Sequence, residues 1–354
     1  MSKSPIISTP DQQERKSKRS LWGMLLKIIV PLVVSVGLCY ILFAKQDFGE
    51  MVRIVRTECD YSWIAYGLVL NIGALWFRAL RWRLQLQAIG VRPTLGTLFL
   101  SFCGTYAVNL VFPRLGELWR TGYIAQDQHA PFDSIFGSMV SDRLADTLTV
   151  GLLTALTFAV SGPELMSYLG QGEGGMMSLL MSPWLWIAAV CGCALCAEVW
   201  YLCRRKPWMQ KLIAFGRGLW DGFIAILRMR GKGLWLLYTL GLWVCYFSSL
   251  YLAFHAFPAT EQVLARSGVE VVLVCFVLSS LSMAVPSQGG IGPWQWAVMF
   301  GLGLYAAGVP ELTEGYAATF ANMVMGSQTV LFILLGLMAF GVITLRNRRV
   351  NRKK

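Results

Sequence analysis

Thr94 to Arg120 reads TLGTLFLSFCGTYAVNLVFPRLGELWR, an apolar run that stops at Pro113 and passes at once into charged residues. Thr94 to Phe112 is apolar enough to cross a hydrocarbon core, so the polar stretch Arg114 to Asp133 must lie on a definite side of it. Charge placement decides which. The most basic loop of the chain, Arg204 to Lys232, holds Arg204, Arg205, Lys206, Lys211, Arg217, Arg228, Arg230 and Lys232 against Asp221, and basic loops stay in the cytoplasm. Counting back, Pro183 to Cys203 runs inward, Ser161 to Ser182 lies outside with Glu164 and Glu173, and Ser134 to Val160 runs outward. Both flanks of Thr94 to Phe112 are then cytoplasmic. The segment is expected to enter the membrane and turn back.

Composition supports this frame. Of the 354 residues 56% are hydrophobic and 14% charged, and mean hydropathy is +0.55, which is more apolar surface than a water-soluble domain of this length buries. The apolar runs approach the roughly 20 residues that a spanning helix needs, and alternating strand patterns are absent. The expected class is an all-α, polytopic integral membrane helical bundle. The net charge of +12 sits at the ends of apolar runs, so it orients the chain and does not indicate nucleic acid.

Residues 1–20 carry Lys3, Arg15, Lys16, Lys18 and Arg19 without an apolar run, and read as a disordered cytoplasmic arm. Leu21 to Ala44 follows as a retained anchor, too long for a signal-peptide core. Lys45 to Asp60 reads as an outer loop, and Tyr61 to about Arg78 returns inward to the basic flank Arg78, Arg81, Arg83 and Arg92. The membrane domain is expected over 21–345, with a basic cytoplasmic tail at 346–354. Both termini are thus placed in the cytoplasm, in the cytoplasmic membrane.

In the second half Leu234 to Phe257 runs outward and Ala317 to Leu345 runs inward. Between them Val269 to Gly308 begins and ends outside, a hairpin whose arms join at PSQGGIGP, residues 286–293. Broken segments at Asn109 to Glu117 and at Pro286 to Pro293 thus enter from opposite faces. Such a pair points to an inverted repeat with two broken or re-entrant hairpins and a site where the breaks meet. Two ordinary turn-rich loops are the plainer alternative.

Within Ser134 to Val160 stand Asp142, Arg143 and Asp146, and an ionised group in a membrane helix needs a partner. The two acids share a helical face, while Arg143 points about 100° away, toward one of them or toward Glu117. A structural ion pair near the cytoplasmic end, with snorkelling side chains, competes with a functional role. Arg114, Glu117 and Arg120, spaced by three after Pro113, line one side of a short helix whose N-terminus and guanidinium groups suit a phosphate. An interfacial amphipathic helix gives the same spacing. Gly289, Gly290 and Gly292 free backbone N–H groups for an anion, or simply make a tight turn. Gln288, Gln295, Asn322 and Gln328 fit helix-to-helix hydrogen bonding.

Cys39, Cys103, Cys245 and Cys275 lie in apolar runs, and the Cys191, Cys193 and Cys196 cluster points to different sides of one helix. With only His129 and His255 as imidazoles, no metal site and no cofactor is expected. A Walker A motif is absent, so ATP is not the expected direct energy source.

At Arg78-Ala79-Leu80-Arg81-Trp82, at Asn109 through Pro113-Arg114-Leu115-Gly116-Glu117-Leu118-Trp119-Arg120, at Ser141-Asp142-Arg143-Leu144-Ala145-Asp146, and at Pro286 through Gly292, the chain resembles one known family. This is the transmembrane region of the lysylphosphatidylglycerol synthase and flippase family, related to the membrane half of the multiple peptide resistance factor. The resemblance runs from about Leu21 to Leu345 and implies movement of a lipid or lipid-linked head group between leaflets. Where the family often has a Glu after the glycine turn, this chain has Gln295, which leaves an acid-dependent coupling step there without its acid. With the chain closing at Lys354, no soluble aminoacyl-transfer domain is expected, and no lysylphosphatidylglycerol synthesis by this chain alone.

The leading expectation is a lipid flippase or lipid-handling transporter that moves an anionic or amino-acylated lipid, or a lipid-linked head group, between leaflets. Its path would comprise Arg78, Arg81, Asn109, Pro113, Arg114, Gly116, Glu117, Arg120, Asp142, Arg143, Asp146, Pro286, Gly289, Gly290, Gly292 and Gln295. Its expected partners are membrane lipids with anionic head groups, a separate lipid-modifying enzyme, and further copies of the chain. A membrane transferase acting on a lipid phosphate, and a non-catalytic partner of an envelope enzyme, are the alternatives.

Overall fold

The structure, a computed structural model, describes residues 48–112, 115–171, 231–285, 287 and 289–351. The basic arm, the Leu21 to Ala44 run, the Pro183 to Cys203 run and the Arg204 loop up to Arg230 lie outside the described residues. Among the described residues every regular element is a helix: α1 (Phe48–Thr57), α2 (Tyr61–Ala88), α3 (Leu95–Val111), α4 (Leu115–Gln128), α5 (Phe132–Gln171), α6 (Lys232–Phe254), α7 (Pro258–Ser267), α8 (Val269–Ser282), α9 (Pro293–Leu304) and α10 (Glu314–Asn351). Among the described residues four stretches are long and apolar enough to cross a bilayer: Tyr61–Ala88, Phe132–Val160, Lys232–Phe254 and Glu314–Arg346. Helices α7 and α8 meet at 110°, a broken span or a re-entrant element.

Lipid is the solvent for this surface. Leu144, Leu148, Leu152 and Leu156 form an exposed stripe on α5, and Val330, Ile333, Leu334, Leu337 and Met338 do the same on α10. Lipid tails are as apolar as leucine, so burial drives little helix association, and close approach through small residues matters more. The contacts bear this out: a β-carbon at Gly104 would lie 2.4 Å from the Trp119 ring, at Gly116 2.3 Å from the Thr105 carbonyl oxygen, at Gly301 2.7 Å from Cys275 Sγ, and at Gly336 2.3 Å from Ala107 Cβ. Two apolar cores result. One gathers Phe254, Phe257, Val263, Val272 and Phe320; the other gathers Trp82, Leu98, Phe102, Ile124 and Ala339.

Several boundaries differ from the sequence reading. Helix α2 does not stop at Arg78 but continues to Ala88, because Arg78 and Arg81 are buried against acids of α5 and do not flank a cytoplasmic loop. The expected outer loop at 45–60 contains α1, whose Ile54 is buried in the first core, and α5 continues past Val160 to Gln171. Helix α7, with Ala259, Thr260, Val263 and Leu264 buried, stands where no element was expected. Thr94 to Phe112 does not fold back within itself. Thr94 caps α3, which runs unbroken to Val111, and the return arm is the polar helix α4. That arm is no surface loop, since its Gly116 N–H donates to Asn109 Oδ1 (2.8 Å) and Arg120 is fully buried.

Helix α10 acts as a ruler for the rest. Near its start Phe320 packs on Phe254 and Phe257, and Tyr316 donates to Glu58 Oε2 (3.0 Å). The α8–α9 hairpin is closed at its open end by Tyr305 donating to Glu270 (3.0 Å), and its turn reaches Met325 through Gly290. The α3–α4 hairpin lies along the other half, through Phe332 on Tyr106, Phe340 on Trp119, and Arg346 bridging Thr97 Oγ1 (2.9 Å) and Asp127 Oδ1 (3.4 Å). The two hairpins therefore approach from opposite ends of α10. They meet tip to tip: a β-carbon at Gly289 would lie 2.9 Å from Leu110 Cδ2.

Candidate functional site

Beside that meeting point α2, α4 and α5 bring together a charged layer. Asp142 and Asp146 are one turn apart on α5 and project the same way, toward the i, i+3 pair Arg78 and Arg81 of α2. Arg78 Nη1 lies 3.0 Å from Asp146 Oδ2 and 4.0 Å from Asp142 Oδ2, while Arg81 Nη2 lies 2.6 Å from Asp142 Oδ1 and 2.7 Å from Asp146 Oδ1. Arg143, turned away on the helix, contacts Glu117 of α4 (3.1 Å) and still reaches Asp146 (3.5 Å) and Asp142 (3.6 Å). Both partners that the spacing allowed it are used.

Depth matters here. By residue count Asp146 falls at the midpoint of the Phe132–Val160 stretch, well inside a helix apolar enough to cross a bilayer. A single charge at that depth costs about 2.5–3.5 kcal/mol on insertion scales, which these helices offset by mutual pairing. Arg81 and Asp142 are fully buried, whereas the Arg143 side chain is 38% exposed and forms the accessible rim with Glu117. The Asp142 oxygens sit at ion-pair distance from Arg81 but lack hydrogen-bond alignment, so this pair is electrostatic more than directional.

Arg120 occupies a different position. Its guanidinium lies 4.3 Å from the Trp82 ring and 4.2 Å from the Phe102 ring, which meet edge to face beside it, and the Trp82 indole N–H donates to Ser138 Oγ (3.0 Å). Two ring faces supply cation–π attraction, yet Nε, Nη1 and Nη2 are all buried without a hydrogen-bond partner.

The turn after α8 has Gly289, Gly290 and Gly292 at φ of 63°, 85° and 97°, the left-handed region that glycine alone enters freely. Gln295 Oε1 accepts from the Gly292 N–H (2.7 Å) and so caps α9. Gln295 thus serves as a helix cap and is no member of the charged layer. Of the residues expected in the path, Pro113, Arg114 and Pro286 lie outside the described residues. Arg78, Arg81, Glu117, Asp142, Arg143 and Asp146 form the charged layer, Asn109 and Gly116 fix the first tip, and the three glycines with Gln295 form the second.

Trp82 and Phe102 were not foreseen as the walls around Arg120, nor was the pair Tyr106 and Tyr246, whose hydroxyls lie 3.4 Å apart, with Arg78 facing the Tyr246 ring. Asn71 and Gln85 also escaped notice, although with Arg78 they recur every seven residues on one face of α2. Asn71 donates to Ser249 Oγ (2.7 Å), and both amide atoms of buried Gln85 are unpartnered. Outside the spans, burial and the adjacent Asp60 push the Cys59 thiol up to about 11.

No solved structure matches the chain. A 130-residue stretch is 25% identical to a protein of Haloferax volcanii called Glycosyltransferase AglD, covering 36% of this chain and 21% of that one. The chain thus spans about a fifth of that relative's length. Residues 28–342 match the family described as the lysylphosphatidylglycerol synthase TM region, a match that includes both hairpins and the charged layer. By that match, which takes in nearly the whole of a multi-spanning helical membrane protein, the chain belongs to the lysylphosphatidylglycerol synthase TM region family.

Proposed function

We propose that this protein is a lipid flippase or lipid-handling transporter that moves an anionic head group between leaflets of the cytoplasmic membrane. The observation that carries this reading is the placement of paired charges within an apolar candidate span, beside the contact of two helical hairpins that come from opposite ends of α10. Broken elements and ionised side chains at that depth are stable where protein or a wet path surrounds them. In this reading the hairpins are the gates of an inverted repeat, Arg143 at the rim attracts the head group, and Glu117, Asp142 and Asp146 balance charge while the site is empty. Both termini are cytoplasmic in the same reading.

A second reading, a membrane transferase acting on a lipid phosphate, draws on the name of the Haloferax relative. Reconstituted vesicles with leaflet-resolved lipid detection separate the two. Head-group movement without chemical change, reduced about tenfold or more by Asp142→Asn or Arg143→Gln in folded protein, is the expected result. A chemically altered lipid would favour the transferase. Unchanged transport by both folded variants would remove the charged layer from the path.

A further inference from the structure

Arg78, Arg81 and Arg143 each have a carboxylate within 4.0 Å, whereas Arg120 has no ion pair among the described residues. It is fully buried, and its charge is felt alongside those of Arg143, Asp142, Glu117 and Arg78. Among the described residues four guanidinium groups thus stand against three carboxylates, Glu117, Asp142 and Asp146, an excess of one positive charge in a low-dielectric layer. Trp82 and Phe102, edge to face at 74° with centroids 5.7 Å apart, wall two adjoining sides of the Arg120 guanidinium, and its five coplanar N–H donors have no hydrogen-bond partner among the described residues. Such a fork matches two oxygens of a phosphate or carboxylate, and holding it flat in advance lowers the entropy cost of binding. A buried, unpartnered charge is otherwise a liability of the kind that evolution and design both remove.

We infer that Arg120 is the receptor for a singly charged oxyanion, the phosphodiester of a lipid head group, and that the layer reaches electrical neutrality only when this ligand is bound. The inference rests on the lipid-handling reading and narrows its substrate by charge. A monoanion neutralises the layer, a dianion leaves it negative, and a neutral lipid leaves the fork empty. The exposed rim nearest along α4 is Glu117 with Arg143, one turn before Arg120, and the ligand would enter from that side.

The test is ligand-induced thermal stabilisation of the full chain in a phosphate-free detergent. The probes are short-chain phosphatidylglycerol, short-chain phosphatidic acid at pH 8, diacylglycerol and soluble glycerophosphoglycerol. Wild-type protein is expected to be stabilised by the phosphatidylglycerol at concentrations about tenfold below those needed for phosphatidic acid, with no response to diacylglycerol. Arg120→Met is expected to melt at or above the wild-type temperature without ligand, because the unpaired charge is gone, and to lose the ligand shift. Arg120→Lys, which keeps charge but not the planar fork, should bind about tenfold more weakly. A full ligand shift in Arg120→Met, or equal response to monoanion, dianion and neutral lipid, would overturn the assignment. Equal stabilisation by glycerophosphoglycerol would overturn the lipid as its source. Transport that persists in Arg120→Met defeats this inference and leaves the flippase reading standing; Arg120-dependent binding without any transport does the reverse.

Discussion

Asp142 has no exposed surface and lies 2.6 Å from Arg81, so neutralising it leaves buried Arg81 and Arg78 to share Asp146 alone in a medium that solvates charge poorly. Asp142→Asn should lower stability by about 3–5 kcal/mol in a detergent unfolding measurement, and Arg81→Met combined with Asp142→Leu should recover most of the loss. A double variant no better than the single one would mean that the pair does not act as a unit. Cys59 offers a milder test. With its thiol pushed up to about 11, little thiolate exists at pH 8, so maleimide labelling there should be slow and should accelerate roughly tenfold per pH unit up to that value. Labelling at pH 8 as fast as that of a free thiol would contradict it. At this scale the acids were legible in the sequence, because charge inside an apolar run is conspicuous and four-residue spacing fixes a shared face. The stacking of Arg120 was not, because Trp82 and Phe102 come from other helices and look like ordinary core residues.

Helices α3 and α4 form a unit through contacts that exclude even a methyl group. Gly116→Ala would press a β-carbon to 2.3 Å from the Thr105 carbonyl oxygen and should destabilise by about 1–3 kcal/mol. Gly122, on the same helix with nothing within 4 Å of its added β-carbon, supplies the control: Gly122→Ala should be neutral or stabilising by about 0.5–1 kcal/mol. Equal effects in a thermal melt would show that the hairpin is not packed this way. The break at Pro113 was readable because proline ends helices, yet the polar residues after it suggested water. Their polarity is consumed internally, by Glu117 on Arg143 and by Asn109 accepting from the Gly116 N–H. Sequence polarity shows that a residue needs partners, not whether those partners are water or protein.

Across the whole molecule, α10 spaces two hairpins that come from opposite ends. Single cysteines in a background lacking reactive thiols, Gln126→Cys at the α4 end and Gln262→Cys on α7, should be labelled by impermeant reagents from opposite sides of sealed vesicles. Labelling of both from one side would dismantle this arrangement. Opposed entry is what the charge bias in the loops implies, and this labelling tests it. The tip contact was not legible in the sequence, since it pairs residues far apart in sequence through one side chain and one missing side chain. That contact has a mechanical consequence. Among the described residues the tips touch where Leu110 rests on Gly289, so the size of that side chain sets the gap there. Trimming it stepwise, Leu110→Val and then Leu110→Ala, should open a graded slit and raise passive ion leak in that order, as a worn washer lets a valve drip before it fails.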